Sequence, residues 1–497
     1  MTHLAAITKH DRDEVFVEFT RSICPVCKRV IDAEVNIRGG GVYLRKRCPE
    51  HGRFEALTCS DAEWYMASLR LNKPGTIPLS HATEVRDGCP LDCGLCPDHK
   101  QHTCLALIEV NSNCNLDCPL CFAESGHHAD GFSLTLEQVE FMLERFVAAE
   151  GEPEAVQLSG GEPTIHPQIL EMVEAATRAG VRHVMVNTNG IRLARDRDFA
   201  SQLAARGAHV YLQFDGFAAE THLALRGRDL RRDKERALER CAEAGLSVTL
   251  VAAVERAVNE HEVGDIVRLG VRHPAVNSVV FQPVTHAGRH RPFDPLTRLT
   301  NPDVMRMIAE QLPEWFRKSD FVPVPCCFPT CRSITYALVD GDEVLPLPRL
   351  LDVESHLDYV ANRMLPDFSI RAALEKLWSA SAVPGTAGMS ESLECATCNI
   401  DMPAAFGDLR RRAFMLVVQD FQDAYTLNVR QLMKCCVAQL TPDGRQIPFC
   451  AYNTVGYREQ IRAQLTHRPV DATVPNALPL QESLSVGERG AMRWNRR

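Results

Sequence analysis

The segment that decides the fold is a closely spaced cysteine triplet placed directly after an apolar run. The run covers residues 105–110, and the triplet that follows reads Cys114-Asn115-Leu116-Asp117-Cys118-Pro119-Leu120-Cys121. Five more β-like runs follow and alternate with helical segments; they cover 155–158, 183–187, 210–214, 247–253 and 278–283. Because strands that alternate with helices over short links form βαβ units, the pattern predicts an α/β fold with a parallel sheet.

Six strands are too few for a complete eight-fold barrel. The pattern is therefore consistent with a partial (β/α)6 TIM-like barrel or with an open doubly wound sheet, and the barrel is the expected form. Both architectures place their ligand site at the carboxyl ends of the strands. The triplet lies on the loop after the first strand, so it is expected at that face.

A second triplet has the same spacing of three and then two intervening residues, at Cys89, Cys93 and Cys96. Thiolates this close on a turning loop can face one centre, as an iron–sulfur cluster requires, whereas paired zinc knuckles would need four closed ligands. Cys104 follows eight residues later and completes a local set of four. The triplet that ends at Cys121 has no further cysteine for 120 residues, so it leaves one iron open for a ligand.

The triplet after the first strand and the segment Gly160-Gly161-Glu162-Pro163-Thr164 after the second strand together resemble the radical S-adenosylmethionine superfamily. The resemblance implies a [4Fe–4S] cluster on Cys114, Cys118 and Cys121, the catalytic site. Its open iron would bind the amino and carboxylate groups of S-adenosylmethionine, and the Gly-Gly-Glu-Pro segment would hold the amino group. Glycines allow close backbone approach to such a ligand, and a glutamate accepts hydrogen bonds from an ammonium.

Polar residues at the other strand ends are further candidates for cofactor binding. The resemblance implies ribose and carboxylate contacts by Asn187, Asn189, Gln213 and Asp215. Gln282, at the end of the sixth strand, points to the same mouth. Asn-Gly and Asp-Gly are also common turn dipeptides, so a purely structural role for these residues stays open.

The N-terminal cysteines predict a mononuclear metal site. Cys24 and Cys27 form one pair, Cys48 and His51 form a second, and 20 residues separate the two pairs. Such knuckles fit zinc or a rubredoxin-like iron, with His51 or Cys59 as the fourth ligand.

The C-terminal cysteines predict at least one further iron–sulfur cluster. Eight of them lie between Cys326 and Cys450, more than buried structural cysteines usually supply. The candidate ligands are Cys331, Cys395, Cys398, Cys436 and Cys450, and their assignment to one cluster stays open.

These features divide the chain into five regions. We expect an N-terminal zinc-ribbon or rubredoxin-like domain over 1–75, an auxiliary cluster segment over 76–104 and the radical barrel over 105–285. A C-terminal auxiliary cluster region over 286–460, of mixed pattern with helices near 302–315 and 369–379, and a tail over 461–497 follow.

The implied activity is reductive cleavage of S-adenosylmethionine to a 5′-deoxyadenosyl radical that removes hydrogen from an unactivated C–H bond. An external donor such as a ferredoxin or flavodoxin would supply the electron. The order of metal sites is similar to a subfamily that includes archaeal tetraether lipid synthases, their bacterial relatives and dihydro-6-hydroxymethylpterin methyltransferases. Coupling of lipid alkyl chain ends, with contact to the membrane surface, is the expected reaction. Radical methylation of a pterin precursor, peptide maturation and a non-enzymatic multi-cluster electron carrier are the alternatives.

Composition narrows the class and the compartment. The chain has 497 residues, 20 cysteines and a net charge of −9, which argues against a nucleic-acid partner. The first thirteen residues are polar and charged, and no stretch approaches the length of an apolar membrane span. We therefore expect a cytoplasmic enzyme that acts on a small molecule or a lipid, with cysteines that bind metal rather than form disulfides.

Overall fold

The computed structural model describes residues 13–127, 131–325, 327–349, 413–469 and 480. It begins with a four-stranded antiparallel sheet and one helix: β1 Glu14–Ile23, β2 Val30–Arg38, β3 Gly41–Cys48, β4 Gly52–Cys59 and α1 Ala62–Arg70. Gly39 and Gly40 form the tight turn between β2 and β3 with φ of 55° and 80°, which L side chains rarely adopt. Asp61 begins α1 by accepting a hydrogen bond from the Trp64 backbone N–H at 2.8 Å.

All six predicted β-runs are strands, and each pairs in parallel with the next. They are β5 Leu105–Glu109, β6 Ala155–Ser159, β7 His183–Thr188, β8 His209–Gln213, β9 Val248–Val254 and β10 Val276–Pro283. The intervening helices are α2 Leu136–Glu150, α3 Ile169–Arg178, α4 Ile191–Arg195, α5 Phe199–Ala204, α6 Ala219–Arg226, α7 Arg231–Glu243 and α8 Val263–Arg272. The partial (β/α)6 barrel is therefore confirmed.

The C-terminal region adds one parallel strand to each edge of this sheet. β14 Ala413–Gln419 pairs with β10, and β15 Val437–Leu440 pairs with β5, so eight consecutive strands run parallel. Antiparallel strands extend both ends: β11 Val322–Pro323, β12 Arg332–Asp340 and β13 Glu343–Pro346 beyond β14, and β16 Gln446–Pro448 beyond β15. The remaining helices are α9 Asn301–Gln311, α10 Val429–Leu432, α11 Phe449–Thr454 and α12 Tyr457–Leu465.

This arrangement differs from the sequence prediction, which set 286–460 apart from the barrel. β14 and β15 join the same sheet as β5–β10, so the C-terminal region completes the barrel wall. A strand's partner is chosen by packing, which the local pattern of one sequence does not reveal. The predicted helix at 369–379 lies outside the described residues, and the helix near 302–315 is observed as α9.

The two faces of the barrel strands carry different side chains. In β8, Val210 and Leu212 pack outward into the core with Leu203 of α5 and Leu238 of α7, whereas Tyr211 points to the inner side. Successive side chains of a strand face opposite sides, so a single strand can serve both the core and the interior. Of the helices in the described ranges, none combines the length and the apolar character that crossing a membrane requires.

Candidate active site and metal centres

A cavity of about 280 Å³ lies at the carboxyl ends of the barrel strands and gathers most of the predicted site. Ten of the twelve predicted catalytic and cofactor residues line it: Cys114, Cys118, Cys121, Gly160, Gly161, Glu162, Asn187, Asn189, Gln213 and Gln282. Pro163 and Asp215 lie behind its wall. A larger depression of about 700 Å³ between the N-terminal sheet and α12 contains none of the predicted residues.

Backbone hydrogen bonds hold the loop with the triplet in place. The N–H of Cys114 donates to the Gly126 carbonyl at 2.9 Å, and Cys121 exchanges two backbone bonds of 2.8 and 3.0 Å with Arg289. The Arg289 guanidinium also donates to the Cys118 carbonyl at 2.7 Å. Burial raises the pKa of the Cys114 thiol to about 12, and Glu162, Cys118 and Cys121 add to the effect. Three thiols on one loop, close enough to interact, suit an iron–sulfur cluster, because cationic iron would reverse this unfavourable ionisation.

Gly160 and Gly161 permit a close approach between two loops. A Cβ on Gly160 would lie 2.3 Å from the Asn111 carbonyl oxygen, and one on Gly161 would lie 2.1 Å from that of Asn113. In the same contact the Gly161 N–H donates to the Asn111 carbonyl, and the Glu162 N–H donates to the Asn113 carbonyl, both at 2.9 Å. The glycines therefore lock the second strand's loop onto the loop that leads into the triplet.

Glu162 is buried and ties together the ends of two strands. Its Oε1 accepts from the Thr164 N–H at 3.1 Å and from the hydroxyls of Thr164 and Thr188 at 2.5 and 2.7 Å. Its Oε2 accepts from the Asn189 N–H at 2.8 Å, its single donor among the described residues. Burial raises the pKa of Glu162, and these donors oppose the rise. Oε2 can accept a second donor, so the carboxylate fits a ligand ammonium at the cavity.

Asp215 is linked to the cavity by an ion pair with Arg226, a residue that the sequence analysis did not identify. The carboxylate accepts bonds of 2.7 Å from both Nε and Nη2 of Arg226, and one of 3.0 Å from the Ala253 N–H. Arg226 itself lines the cavity. Burial raises the pKa of the Cys118 thiol, and the Arg226 guanidinium opposes this rise, so it favours the thiolate that binds metal. Arg226 belongs to no sequence motif, so the sequence analysis did not identify it.

Lys234 on α7 fixes two of the predicted residues from behind. Its buried Nζ donates to the Asn189 carbonyl at 2.7 Å and to Gln213 Oε1 at 2.9 Å. Burial lowers the pKa of Lys234 to about 7. The amide nitrogen of Gln213 donates to Asp215, so both polar ends of Gln213 are held within the protein.

The N-terminal sheet holds a compact four-ligand site. The donor atoms of Cys24, Cys27, Cys48 and His51 all lie within 4.8 Å of one another, and His51 Nδ1 is 3.7 and 3.5 Å from the sulfurs of Cys24 and Cys48. Cys59 packs elsewhere and its thiol donates to the Asp61 carbonyl at 3.2 Å. His51 is therefore the fourth member, and the set has the composition of a structural zinc site.

We expect His51→Ala to lower the zinc content by close to one atom per chain and to lower the melting temperature, because a structural zinc contributes its binding free energy to folding. Zinc and iron are measured together by elemental analysis. Cys59→Ser is the matched control and should keep its zinc. Equal zinc loss in both variants, or none in His51→Ala, would contradict the assignment.

The other triplet is also gathered, but without Cys104. Cys89 lies close enough to both Cys93 and Cys96 for the thiols to affect each other's ionisation. Cys104 packs in a different cluster with Cys327 and Cys436, and its N–H donates to the Cys436 carbonyl at 2.9 Å. Cys104 as the fourth ligand of this triplet stays a prediction.

The C-terminal cysteines converge on one place beside the barrel. Cys435 and Cys450 lie close enough for their thiols to affect each other's ionisation, and burial together with neighbouring Cys435 and Cys436 raises the pKa of Cys331. The predicted ligand set contained Cys436 but omitted its neighbour Cys435. The structure places the side chain of Cys435 beside that of Cys450. Cys395 and Cys398 lie outside the described residues.

Comparison with known proteins agrees with this geometry. Residues 108–270 match the Radical SAM superfamily, and residues 16–60 match the HMPTM N-terminal zinc ribbon domain. The 7,8-dihydro-6-hydroxymethylpterin dimethyltransferase of Methanocaldococcus jannaschii is 32% identical over 487 residues, which covers 90% of this chain and 95% of that protein.

Two further similarities cover only part of the chain. Mycofactocin maturase MftC of Mycobacterium ulcerans is 37% identical over 112 residues, 22% of this chain and 29% of the relative. The structure of Streptococcus suis SuiB bound to precursor peptide SuiA aligns with a TM-score of 0.36 and 14% identity, over 44% of this chain and 48% of that one. The long alignment with the archaeal protein decides the matter: the chain belongs to the radical S-adenosylmethionine superfamily, in the family of the 7,8-dihydro-6-hydroxymethylpterin dimethyltransferase.

Proposed function

We propose that this radical S-adenosylmethionine enzyme methylates a carbon of a reduced pterin. The observation that carries the proposal is the lining of the barrel cavity, which is polar at its inner layer and aromatic at one side. The name of the M. jannaschii relative contains such a pterin. Its alignment covers nine-tenths of this chain and supports the same class of substrate here.

The strands that line the cavity contribute polar side chains beside the apolar Leu105, Leu107, Val251 and Val437. Six strands contribute these polar side chains: Gln157, Tyr211, Gln282, Arg332, Gln419 and Gln439. Amides, a phenol and a guanidinium can donate and accept along the edge of a pyrimidinone ring. An alkyl chain would offer no partner to the donors and acceptors of these groups that the protein leaves open, at a cost of about 1–3 kcal/mol for each open group.

Three phenylalanines form the aromatic side of the cavity. Phe122 and Phe449 stack with centroids 5.2 Å apart and planes 10° apart, and Phe421 meets Phe449 edge-on at 5.0 Å. Phe122 follows the cysteine triplet, whereas Phe421 and Phe449 come from the C-terminal region. A flat bicyclic ring gains more from such a wall than a flexible chain does.

The residues of the chain have separate tasks in this reaction. The thiols of Cys114, Cys118 and Cys121 would hold a [4Fe–4S] cluster, and Glu162 would receive the ammonium of S-adenosylmethionine. When bound, these groups supply the radical chemistry that removes a hydrogen atom from an unactivated C–H bond. The barrel orients the substrate and excludes water.

The bond balance requires further reactants. Each methylation replaces a C–H bond with a C–C bond, and the hydrogen leaves in 5′-deoxyadenosine. The methyl group comes from a folate-like donor, which leaves demethylated, or from a second S-adenosylmethionine, which leaves as S-adenosylhomocysteine. An external electron donor such as a ferredoxin or flavodoxin supplies one electron for the cleavage of S-adenosylmethionine, which also releases methionine, and one electron for the transfer of the methyl group. The gathered thiols of Cys89, Cys93 and Cys96, and of Cys331, Cys435 and Cys450, support auxiliary clusters that take part in this electron transfer.

The expectation of lipid chain coupling receives no support from the comparisons or from the cavity lining. The likeness to a peptide maturase covers 22% of this chain, so it adds nothing beyond the barrel. Pterin methylation, which the sequence analysis held as an alternative, has the better support.

We expect the anaerobically reconstituted enzyme to convert 7,8-dihydro-6-hydroxymethylpterin into a product heavier by one or two methyl groups. The reaction contains S-adenosylmethionine and a low-potential reductant, with and without a folate-like methyl donor, and mass spectrometry follows the pterin. Product formation in either arm supports the proposal. If 5′-deoxyadenosine accumulates while the pterin mass stays unchanged in both arms, the proposal is wrong.

A further inference from the structure

Arg332 stands apart from the other buried arginines of the chain. Four arginines in the described part are buried, and three of them face a carboxylate: Arg298 with Asp423 at 2.6 Å, Arg445 with Asp443 at 2.7 Å and Arg458 with Glu109 at 2.7 Å. Arg332 is 2% exposed, and no carboxylate of the described residues forms an ion pair with it. Within the described part of the chain, its Nη1 has no hydrogen-bond partner.

The position of Arg332 directs this group into the substrate cavity. It begins β12, opposite Gln419 at the end of β14, and both side chains line the cavity. Nη2 donates to Gln419 Oε1, which leaves Nη1 as the open donor. Tyr211 lies close enough for the guanidinium to affect its ionisation, and its hydroxyl accepts from Gln282 Nε2 at 3.2 Å.

Such an arrangement is costly unless a ligand completes it. A buried charge without a partner destabilises the fold, and replacing it with an apolar side chain of similar volume is often neutral or stabilising. An open guanidinium donor beside amide groups suits an acceptor edge, such as a ring carbonyl next to a ring nitrogen. A saturated alkyl chain offers no acceptor.

We propose that Arg332 is a specificity-determining residue that donates hydrogen bonds to the carbonyl oxygen of the substrate's pyrimidinone ring and to the neighbouring imine nitrogen of the adjoining ring. The inference rests on the proposed pterin function and assigns the residue that recognises the ring. Arg332 therefore acts in substrate binding, on strands that the C-terminal region adds to the barrel, rather than in holding S-adenosylmethionine.

The test compares Arg332→Met with the wild type and with Arg332→Lys, each as full-length reconstituted protein. Equilibrium dialysis measures binding of 7,8-dihydro-6-hydroxymethylpterin and, separately, of S-adenosylmethionine. We expect Arg332→Met to weaken pterin binding about 10- to 100-fold, the effect of losing a hydrogen bond to a charged group, with a smaller loss in Arg332→Lys. The affinity for S-adenosylmethionine should change by less than about twofold.

Thermal unfolding separates recognition from a structural role. Arg332→Met should melt no lower than the wild type, because it removes an unpaired buried charge. Arg298→Met is the matched control and should melt lower, because it leaves the buried Asp423 carboxylate without its partner.

Three outcomes would overturn the inference: unchanged pterin binding in Arg332→Met, an equal loss of S-adenosylmethionine binding, or a lowered melting temperature with both affinities lost. If Arg332→Met does not fold, unchanged pterin binding in Arg332→Lys overturns it as well. If the wild type itself does not bind the pterin, the proposed function fails, which is a different result from a wild type and variant that bind equally.

Discussion

Cys118→Ala is expected to lose the formation of 5′-deoxyadenosine completely, whether or not a substrate is present. Cys118 is the central thiol of the triplet that lines the cavity, and removing it would take away one of the three thiols proposed to hold the cluster. Liquid chromatography of reduced, reconstituted protein incubated with S-adenosylmethionine measures the product. Iron content should fall by about one cluster, because the thiols of the other metal sites lie elsewhere in the chain.

Cys241→Ala is the matched control for this change. Cys241 is a buried cysteine of α7 in the outer core, away from the cavity, and it should cost only a small loss of stability. Product formation in Cys118→Ala at the level of Cys241→Ala would contradict the assignment and would shift the cofactor site to Cys89, Cys93 and Cys96.

Glu109→Gln is expected to lower the free energy of unfolding by about 3–5 kcal/mol, the cost of breaking a buried ion pair. Glu109 ends β5, and its carboxylate accepts from Arg458 at 2.7 Å and from Arg462 at 3.2 Å. Those arginines also donate to the backbone carbonyls of Phe122 and Ala123 at 2.9 and 2.7 Å. Loss of the carboxylate would leave two guanidiniums facing each other and would loosen α12 from the loop after Cys121. Denaturant unfolding of the apo and reconstituted protein measures the effect.

Acid titration gives a second readout of Glu109. Burial opposes its ionisation, but Arg458 and Arg462 outweigh burial and lower the pKa from 4.5 to about 2. A carboxyl group with a depressed pKa stabilises the fold fully above its unfolded pKa, and this contribution is lost as pH falls from about 4.5 toward 2. Glu109→Gln should therefore lack this part of the acid dependence.

The exposed Glu152 supplies the control for Glu109. Its ion pair with Arg182 is long, at 3.6 Å, and its side chain is 90% exposed, so Glu152→Gln should change stability by less than about 0.5 kcal/mol. Equal effects of the two substitutions would show that the Glu109 network does not hold α12 to the barrel.

The central barrel was predictable from sequence because its signals are local. The strands β5–β10 are short apolar runs between amphipathic helices, and the triplet and Gly160-Gly161-Glu162 follow two of them at fixed positions. The N-terminal metal site was equally predictable from the sequence, because both ligand pairs lie on tight turns of one small sheet. Only the choice of His51 over Cys59 needed the structure.

The residues that sequence reasoning missed act through tertiary contacts. Arg226 and Lys234 reach the site from helices, and neither belongs to a motif. Arg332 and Gln419 belong to the site only because β12 and β14 join the barrel sheet. Cys104 was grouped with Cys89 by its position in sequence, but β5 and β15 draw it toward Cys436. Strand pairing between distant segments is set by packing, which local patterns do not encode.

The most direct test of the account uses a pterin that carries deuterium at its alkyl and ring C–H positions. We expect the reconstituted enzyme to transfer deuterium from this substrate into 5′-deoxyadenosine while the pterin gains a methyl group. Mass spectrometry measures both products in one reaction. If 5′-deoxyadenosine contains no deuterium and the recovered pterin is unmethylated, the pterin is not the substrate of this cavity and the account is wrong.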